Sequence, residues 1–201
     1  GYERPAASLT KREVDPLMRP RQMRYSSEAW FFDPKAERFT RLPDAPVCAF
    51  WPEGTASGGD FYMLGGTMRK PENARLGWQP GEKIDLTSPR IFRLRRTNGD
   101  WRWTELPSMR NGRFLPAVAA VDGVLYVIGG QASFGADAYS GDRPGPYINA
   151  VEALDLAHPE DGWRDIAPLP GMGRSNAATA VVGGKIYLFG GFYDHIYHDP
   201  K

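Results

Sequence analysis

Four side chains in this sequence are of types that could do chemistry. Glu53 is a carboxylate at a position where the corresponding part of a later repeat has an alanine, so burial would raise its pKa and suit it to acid/base work. His195 and His198 have a spacing that can chelate a metal ion, but no third ligand is in view. Cys48 is the single cysteine, and it is interpreted as a small buried residue rather than a nucleophile because no histidine lies near it. The sequence therefore predicts no metal and no cofactor, and the other interpretation of Glu53 is a solvated carboxylate without a catalytic role.

Two arginines lie at the same sequence distance from a motif that occurs three times. The motif is a short apolar run ending in a glycine pair, at residues 61–66, 125–130 and 186–191. Its second glycines are 64 and 61 positions apart. Arg113 and Arg174 each stand 17 positions before a second glycine, and a run rich in alanine follows each arginine. Such regularity is the signature of a repeat protein.

Each repeat carries the signals of four short antiparallel strands. The alanine-rich run and the apolar run are joined by a tight turn, Asp122-Gly123 in one repeat and Gly183-Gly184 in the next, and so form a hairpin. A third strand is predicted at 89–94 and at 150–155. A fourth strand carries an aromatic residue, an aliphatic residue and then a proline: Phe39/Leu42/Pro43, Trp103/Leu106/Pro107 and Trp163/Ile166/Pro168. Four such strands per period predict one propeller blade.

This order of motifs resembles the kelch repeat, and the resemblance covers nearly the whole chain. It implies an all-β, kelch-type β-propeller with about three four-stranded blades of an incomplete ring. The expected domain is a partial propeller over residues 1–201, with repeat units at about 2–66, 67–130 and 131–191 and the start of a further loop at 192–201. Because Gly1-Tyr2 resembles Gly191-Phe192, the chain is interpreted as an internal piece of a longer propeller, whose remaining blades would be its partners. The position matching the two arginines in the first repeat is Ala49, which departs from the family pattern.

The connections between strands fall into two sets, at opposite ends of each blade. The 1–2 and 3–4 turns are predicted to be short, whereas the 2–3 loops and the 4–1 connections hold every long insertion (2–27, 67–88, 131–148 and 192 onward). Long loops on a rigid scaffold are where binding sites usually lie. The elaborated face is therefore the expected ligand-binding surface, with these candidate residues: Arg113, Phe114, Gln131, Arg174, Ser175, Asn176, Phe192 and Tyr193.

Two interpretations of the arginines stand side by side. In some kelch adaptor proteins of ubiquitin ligases the corresponding arginine grips acidic peptides, and the resemblance implies that role for Arg174 and Arg113. In the alternative, each arginine bonds backbone carbonyls and holds the scaffold together. Phe192 and Tyr193 are likewise either ligand contacts or loop packing, whereas Trp103 and Trp163 are predicted to lie in the core between blades.

The charge balance and the lengths of the apolar runs argue against nucleic-acid binding and against a membrane span. The 25 basic and 24 acidic residues leave a net charge of +1, which gives no electrostatic reason to bind nucleic acid. No apolar run approaches the ~18 residues that cross a bilayer, so no membrane span is predicted, and the compartment stays open. The expected function is a binding module for a protein or glycan ligand. The alternative is a carbohydrate-processing enzyme resembling sialic-acid epimerase or mutarotase kelch propellers, with Glu53 as the weak catalytic candidate. A copper radical oxidase similar to galactose oxidase is disfavoured, because Cys48 lies outside any matching context.

Overall fold

The computed structural model describes residues 26–69, 87–132 and 147–193, and in this part of the chain the regular structure is almost entirely strand. The single exception is a 3-10 turn at Pro159–Asp161. The strands, in chain order, are β1 (Trp30–Asp33), β2 (Arg38–Arg41), β3 (Cys48–Phe50), β4 (Glu53–Ser57), β5 (Asp60–Leu64), β6 (Thr67–Arg69), β7 (Ile91–Thr97), β8 (Asp100–Leu106), β9 (Ala117–Val121), β10 (Val124–Ile128), β11 (Val151–Asp155), β12 (Arg164–Ile166), β13 (Ala178–Val182) and β14 (Lys185–Phe189).

Two complete four-stranded sheets form the centre of the described structure. Strands β4-β5-β7-β8 make the first sheet, here called blade 1, and β9-β10-β11-β12 make the second, blade 2. Every pairing in them is antiparallel, and each strand pairs with the next strand of the same sheet along the chain. The pair β1–β2 precedes them and is called the leading half-blade, and the pair β13–β14 follows them and is called the trailing half-blade. The predicted meander of four short antiparallel strands is confirmed in both blades.

The hairpin turns lie where the sequence predicts them. Asn98-Gly99 and Asp122-Gly123 each place two successive residues at positive φ, between 49° and 93°, which is the backbone of the two-residue turns that match strand twist. The end of the blade that carries these turns is here called the short-turn face. One connection on it is longer than expected, because residues 156–163 between β11 and β12 accommodate the 3-10 turn.

The glycine pairs join neighbouring blades. All six glycines have positive φ, from 65° to 100°, a region that is open to glycine and costly for other residues. The Gly66 N–H donates to the Arg113 carbonyl at 3.1 Å, and the Gly130 N–H donates to the Arg174 carbonyl at 2.8 Å. A Cβ on Gly65 would lie 2.9 Å from the Arg113 carbonyl oxygen. The glycine pair is therefore required because each blade's second strand ends against the backbone of the next blade.

The core lies between the blades. One buried cluster joins Leu64 and Ile91 of blade 1 to Leu125 and Leu154 of blade 2, and Trp163 belongs to it. The Trp163 indole donates to the carbonyl of Pro107, at the end of blade 1, at 2.8 Å. The Trp103 indole likewise donates at 2.9 Å to Pro43, which follows the leading half-blade.

These bonds show why the fourth strand combines a tryptophan with a proline. In each case the apolar ring lies between two sheets, and its one polar atom is paired with a carbonyl beside the preceding sheet's last strand. The predicted position of both tryptophans between blades is confirmed.

Candidate binding face

The inner strands β4, β9 and β13 all begin at the end of the blade opposite the short turns, and this end is here called the loop face. Just before β9 and β13, backbone bridges pair Phe114 with Gln131 and Ser175 with Phe192. The corresponding pairing before β4 is longer, because β3 and β6 pair over three residues, from Cys48↔Arg69 to Phe50↔Thr67. The sequence treated 67–88 as one polar insertion and missed this pairing, which extends a bridge that the other repeats also have. Four of the candidate ligand-binding residues thus occupy equivalent, neighbouring positions.

The residue that follows each bridge adopts a left-handed backbone. Trp51, Leu115 and Asn176 have φ of 53°, 48° and 56°, although none of them is glycine. A left-handed conformation in a non-glycine residue costs free energy and is concentrated at functional sites. The Asn176 N–H donates to the Leu115 carbonyl at 2.8 Å, so two of these positions are in direct contact. The edge of the Trp51 ring packs against Phe114, with 4.9 Å between ring centroids.

Arg113 is fully buried, with 0% of its surface exposed. Its guanidinium donates to the carbonyls of Gly129 and Ala150, both at 3.1 Å, and forms an ion pair with Glu152. Glu152 is also fully buried, and its second carboxylate oxygen accepts the Arg110 backbone N–H at 2.8 Å. Burial lowers the pKa of the Arg113 guanidinium, and the adjacent Glu152 carboxylate acts in the opposite direction. Gly129 directly follows β10, Ala150 directly precedes β11, and Glu152 lies in β11, so this side chain joins the second and third strands of its own blade.

The first repeat replaces this ion pair with an apolar pair. Ala49 takes the place of Arg113, and the strand register places Phe92 where blade 2 has Glu152, since Met63 pairs with Phe92 as Val127 pairs with Glu152. Phe92 is 1% exposed and belongs to a buried cluster on which Ala49 packs. The departure at Ala49 therefore has a physical reason, because an arginine there would face an aromatic ring instead of a carboxylate. The sequence identified Ala49 but missed Glu152 and Phe92, whose relation to it depends on the pairing of the second and third strands.

Arg174 has fewer partners than Arg113. It is half-buried, one of its terminal nitrogens lies 3.4 Å from the Gly190 carbonyl oxygen, and its Nε has no hydrogen-bond partner among the described residues. Within 26–69, 87–132 and 147–193, no carboxylate forms an ion pair with it. In this structure the Arg174 guanidinium therefore keeps hydrogen-bonding capacity that Arg113 has used.

The remaining candidate residues divide by exposure. Phe114, Gln131 and Ser175 are buried, and the Ser175 hydroxyl lies 3.4 Å from the Gln131 side-chain oxygen. Exposed on the same face are Asn176, Phe192 and Tyr193, the two aromatic residues being 62% and 50% exposed. Trp51, which the sequence did not select, is 44% exposed. Its alignment with Leu115 and Asn176 was readable from the sequence, but their shared left-handed backbone was not.

Glu53 is the first residue of β4 and pairs with Leu64, so it occupies the inner-strand position predicted for it. It is half-buried, and burial raises the pKa of its carboxyl above the ordinary value. Cys48 is buried and carries a free thiol, as expected of a small core residue. His195 and His198 lie outside the described residues. Within the described ranges, no group of three or more His, Cys, Asp and Glu side chains could hold a metal ion.

The fold and this face together define a class of protein: an antiparallel four-stranded propeller module whose blades are joined by glycine pairs and inter-blade tryptophans. The family model of the Kelch motif matches residues 112–170 and 173–199. The chain belongs to the kelch-repeat family, and the predicted kelch-type β-propeller fold is confirmed.

Similar proteins come from distant organisms. The chain is 33% identical over 147 residues to "Kelch repeat and BTB domain-containing protein 12" of Danio rerio, covering 70% of this chain and 21% of that protein. It is 27% identical over 161 residues to "Kelch-like protein 35" of Mus musculus, covering 80% of this chain and 22% of that protein. Over 69 residues it is 39% identical to a "Kelch domain-containing protein" of Vibrio cholerae, covering 34% of this chain and 18% of that protein.

A solved structure, titled "Structure of YjhT", has the same fold. It superposes with a TM-score of 0.53 at 23% sequence identity, covering 76% of this chain and 37% of that one. The chain spans about a fifth of the length of curated relatives such as these. In the described part of the chain, no helix has the length and apolar character needed to span a bilayer.

Proposed function

We propose that this chain is a binding module that recognises a protein ligand through its loop face. The observation that carries the proposal is the exposure of Trp51, Asn176, Phe192 and Tyr193 at structurally related positions on that face, next to the half-buried Arg174. Tryptophan, tyrosine and arginine are the residues that most often dominate the energy of protein interfaces. The short-turn face instead carries mainly two-residue turns, such as Asn98-Gly99 and Asp122-Gly123.

The family supports this proposal at the level of class. Kelch-repeat proteins are commonly protein-interaction modules. A glycan ligand has no comparable support from the relatives. The carbohydrate-processing alternative rests on Glu53 and the two arginines, of which Arg113 is fully buried, whereas the binding proposal rests on several exposed side chains that share one face.

The buried candidates take a supporting role in this proposal. Arg113, Phe114, Gln131 and Ser175 have almost no exposed surface, so they hold the backbone from which Trp51, Asn176 and Phe192 project. The ligand we propose is a peptide segment with an apolar side chain for the aromatic residues. An acidic group on that segment would pair with the terminal nitrogens of Arg174, because no carboxylate among the described residues forms an ion pair with this half-buried side chain.

The proposal is tested by selecting ligands for the chain without assuming their identity. A displayed library of random peptides is panned against the immobilised chain, and each selected peptide is then titrated against variants by calorimetry. We expect Trp51→Ala and Phe192→Ala to weaken binding about tenfold or more, as truncation of interface aromatic residues commonly does. Asp122→Ala, on the short-turn face, is the matched control and should leave the affinity unchanged. Peptides that lose affinity only with the Asp122 variant would overturn the proposal, and so would a parallel glycan array that binds when no peptide does.

Arg174 is tested by two measurements on the same variant. If it bonds an acidic group of the ligand, Arg174→Ala should remove a charge-assisted hydrogen bond worth roughly 1.5–3 kcal/mol, about ten- to a hundredfold in affinity. If it is part of the scaffold, as Arg113 is, the same variant should melt at a lower temperature while the folded fraction binds with unchanged affinity. The second result would remove Arg174 from the binding site.

A further inference from the structure

Three arginines lie side by side on one face of blade 1. Arg93 and Arg95 are two positions apart on β7, and Arg102 on β8 lies directly opposite Arg95. Residues two apart on a strand, and residues directly opposite one another in a strand pair, point to the same face of the sheet. These three side chains are here called the arginine cluster. The cluster lies toward the β7–β8 turn, in the half of the blade that is remote from the loop face.

The cluster borders the core between the two complete blades. Tyr62 lies opposite Arg93, and its buried ring belongs to the core cluster that contains Leu125 of blade 2. Burial raises the pKa of the Tyr62 phenol above its ordinary value, and the nearby Asp60 carboxylate acts in the same direction. The charges of Arg93 and Arg95 oppose this shift, so both guanidinium groups lie near the same hydroxyl, at the edge of the apolar core.

In the described part of the chain, a carboxylate neutralises only one of the three charges. Arg95 forms an ion pair with the buried Asp60 at 2.6 Å. No carboxylate within 26–69, 87–132 and 147–193 forms an ion pair with Arg93 or Arg102. The Nε of Arg93 is buried without a hydrogen-bond partner in the same ranges, and Arg102 is exposed. The cluster therefore carries two uncompensated positive charges.

The blade fold does not require this cluster. Arg95 lies directly opposite Arg102, and like charges in such a position destabilise a sheet. The register aligns Arg93 with Ala153 of blade 2, because each lies opposite the tyrosine of its second strand. Two positions further along the third strand, blade 2 has Asp155 in place of Arg95. A complete blade therefore forms without arginine at either position, and packing alone does not explain the cluster.

We propose that the arginine cluster binds a phosphate group, free or esterified, at a site separate from the loop face. The planar guanidinium group of arginine presents N–H donors that match the oxygens of phosphate. A phosphate monoester carries a charge of about −1.5 to −2 at neutral pH and has three acceptor oxygens. It therefore neutralises both uncompensated charges and accepts hydrogen bonds from the terminal nitrogens of Arg93 and Arg102 together. A carboxylate, with a single charge, would leave one of these two arginines uncompensated.

Asp60 orients the third arginine of the site. Its carboxylate accepts hydrogen bonds from Nε and from one terminal nitrogen of Arg95, at 2.9 and 2.6 Å, and leaves the other terminal nitrogen outside the ion pair. The Tyr62 hydroxyl lies 3.4 Å from the same carboxylate and belongs to a buried side chain. The ion pair thus fixes the Arg95 guanidinium while one of its donors stays available to the phosphate group.

The first experiment follows the arginine side-chain resonances of the 201-residue chain by NMR. Inorganic phosphate and O-phosphoserine are titrated separately, at an ionic strength held constant with sodium chloride. We expect saturable binding of at least one of them with a dissociation constant below about 10 mM. Tighter binding of O-phosphoserine would assign the site to an esterified phosphate, and tighter binding of inorganic phosphate would assign it to the free anion. The absence of saturable binding by both would overturn the proposal.

The second experiment locates the site with variants that each remove one charge. Arg93→Gln and Arg102→Gln should each weaken phosphate binding about tenfold, because each removes a charge-assisted hydrogen bond. Since Arg102 is exposed, its variant keeps the test valid even if Arg93→Gln fails to fold.

Arg96→Gln is the matched control. Arg96 lies on the same hairpin and its variant loses the same charge, but Arg96 pairs with Trp101 and so points to the opposite face of the sheet. Its variant should bind phosphate as the parent does. An equal loss in Arg96→Gln and Arg102→Gln would indicate general attraction to positive charge and would overturn the site. Unchanged affinity in an Arg102→Gln chain that keeps the circular dichroism of the parent would overturn it as well.

Discussion

Arg113 and Glu152 form an ion pair in which neither side chain is exposed. Desolvation of two buried charges is expensive, and such a pair is retained without loss only when its remaining hydrogen-bonding groups are satisfied. Here the backbone carbonyls of Gly129 and Ala150 and the N–H of Arg110 complete the set. Blade 1 fills the same positions with Ala49 and Phe92, so the fold accepts either a paired charge or an apolar pair.

Removing only one partner should be strongly destabilising. Glu152→Ala leaves a buried guanidinium without its carboxylate, and we expect a loss of about 3–5 kcal/mol in the free energy of unfolding. The double variant Arg113→Ala/Glu152→Phe reproduces the blade 1 pair and should lose much less. Urea unfolding of the three proteins measures both effects. A double variant no more stable than Glu152→Ala would show that the two blades do not share this packing.

Glu53 gives the protein a pH-dependent contribution that can be isolated. Burial raises the folded-state pKa of its carboxyl above 4.5, so the folded chain binds the proton more tightly than the unfolded chain does. The stability that protonation contributes is full below pH 4.5 and is lost as the pH rises through the folded-state pKa. Glu53→Gln, which stays neutral, should therefore melt at a higher temperature than the parent at pH 7, and the difference should shrink toward pH 4 (both pH values chosen about the ordinary carboxyl pKa). A difference that is independent of pH would contradict this account. Glu105→Gln is a comparison with the opposite sign, because the hydrogen bond from Arg90 lowers the pKa of the Glu105 carboxyl, so this variant should lose stability relative to the parent as the pH rises.

At the residue scale, the sequence predicted which residues of the repeats are equivalent, but not the burial or the partners of their side chains. The repeat spacing correctly aligned Ala49 with Arg113 and Glu53 with the first alanine of the inner strand. It could not show that Arg113 is buried or that Glu152 is its partner, because this depends on which residues of β10 and β11 lie opposite one another. The left-handed backbone of Trp51 and Leu115 was equally hidden, since neither residue type favours it.

At the scale of elements, each second strand ends in glycines for two separable reasons. Gly129 has a φ of 65°, and a Cβ there would also collide with the Arg174 carbonyl oxygen. Gly123, in the β9–β10 turn, has a φ of 77°, but a Cβ there would meet nothing within 4 Å. The first position combines a conformational and a steric requirement, and the second has the conformational requirement alone.

Alanine substitution at these two glycines should therefore have unequal effects. Gly123→Ala should cost about 1–2 kcal/mol, the price of a left-handed backbone for a residue with a Cβ. Gly129→Ala should cost clearly more, because the blades must also separate to admit the methyl group. Denaturant unfolding compares the two variants directly. Equal losses would mean that the contact between Gly129 and the backbone of the next blade is not restrictive.

The elements themselves were largely predictable, with two exceptions. Hairpins carry local signals, such as Asn98-Gly99 between two runs of β-forming residues, and these were recognised correctly. The pairing of β3 with β6 was missed because it joins three-residue segments separated by a complete hairpin, with no turn signal between them. The 3-10 turn at Pro159–Asp161 was missed although both flanking strands were predicted, because a single turn of three residues is too short to show a periodic pattern.

At the scale of the whole molecule, the repeat places different kinds of residue on its two faces. The short-turn face is built mainly from tight turns, and the loop face carries the exposed aromatic and polar side chains at the start of each inner strand. Because neighbouring blades are joined through Gly66 and Gly130 to the backbone beside those side chains, the residues that we propose for binding lie on a rigid frame. The sequence predicted this division from the alternating direction of the four strands in each repeat. The choice of ligand depends on side-chain positions, which the strand directions do not specify.

The most direct test of the loop-face account is a map of ligand contacts by NMR. A peptide selected by panning would be titrated into labelled chain while amide and side-chain resonances are followed. The account predicts the largest shifts at the indole N–H of Trp51, the side-chain amide of Asn176 and the backbone of Phe192, with no change at Asn98-Gly99 or Asp122-Gly123. Shifts concentrated at those two turns, with the Trp51 and Asn176 signals unmoved, would contradict it.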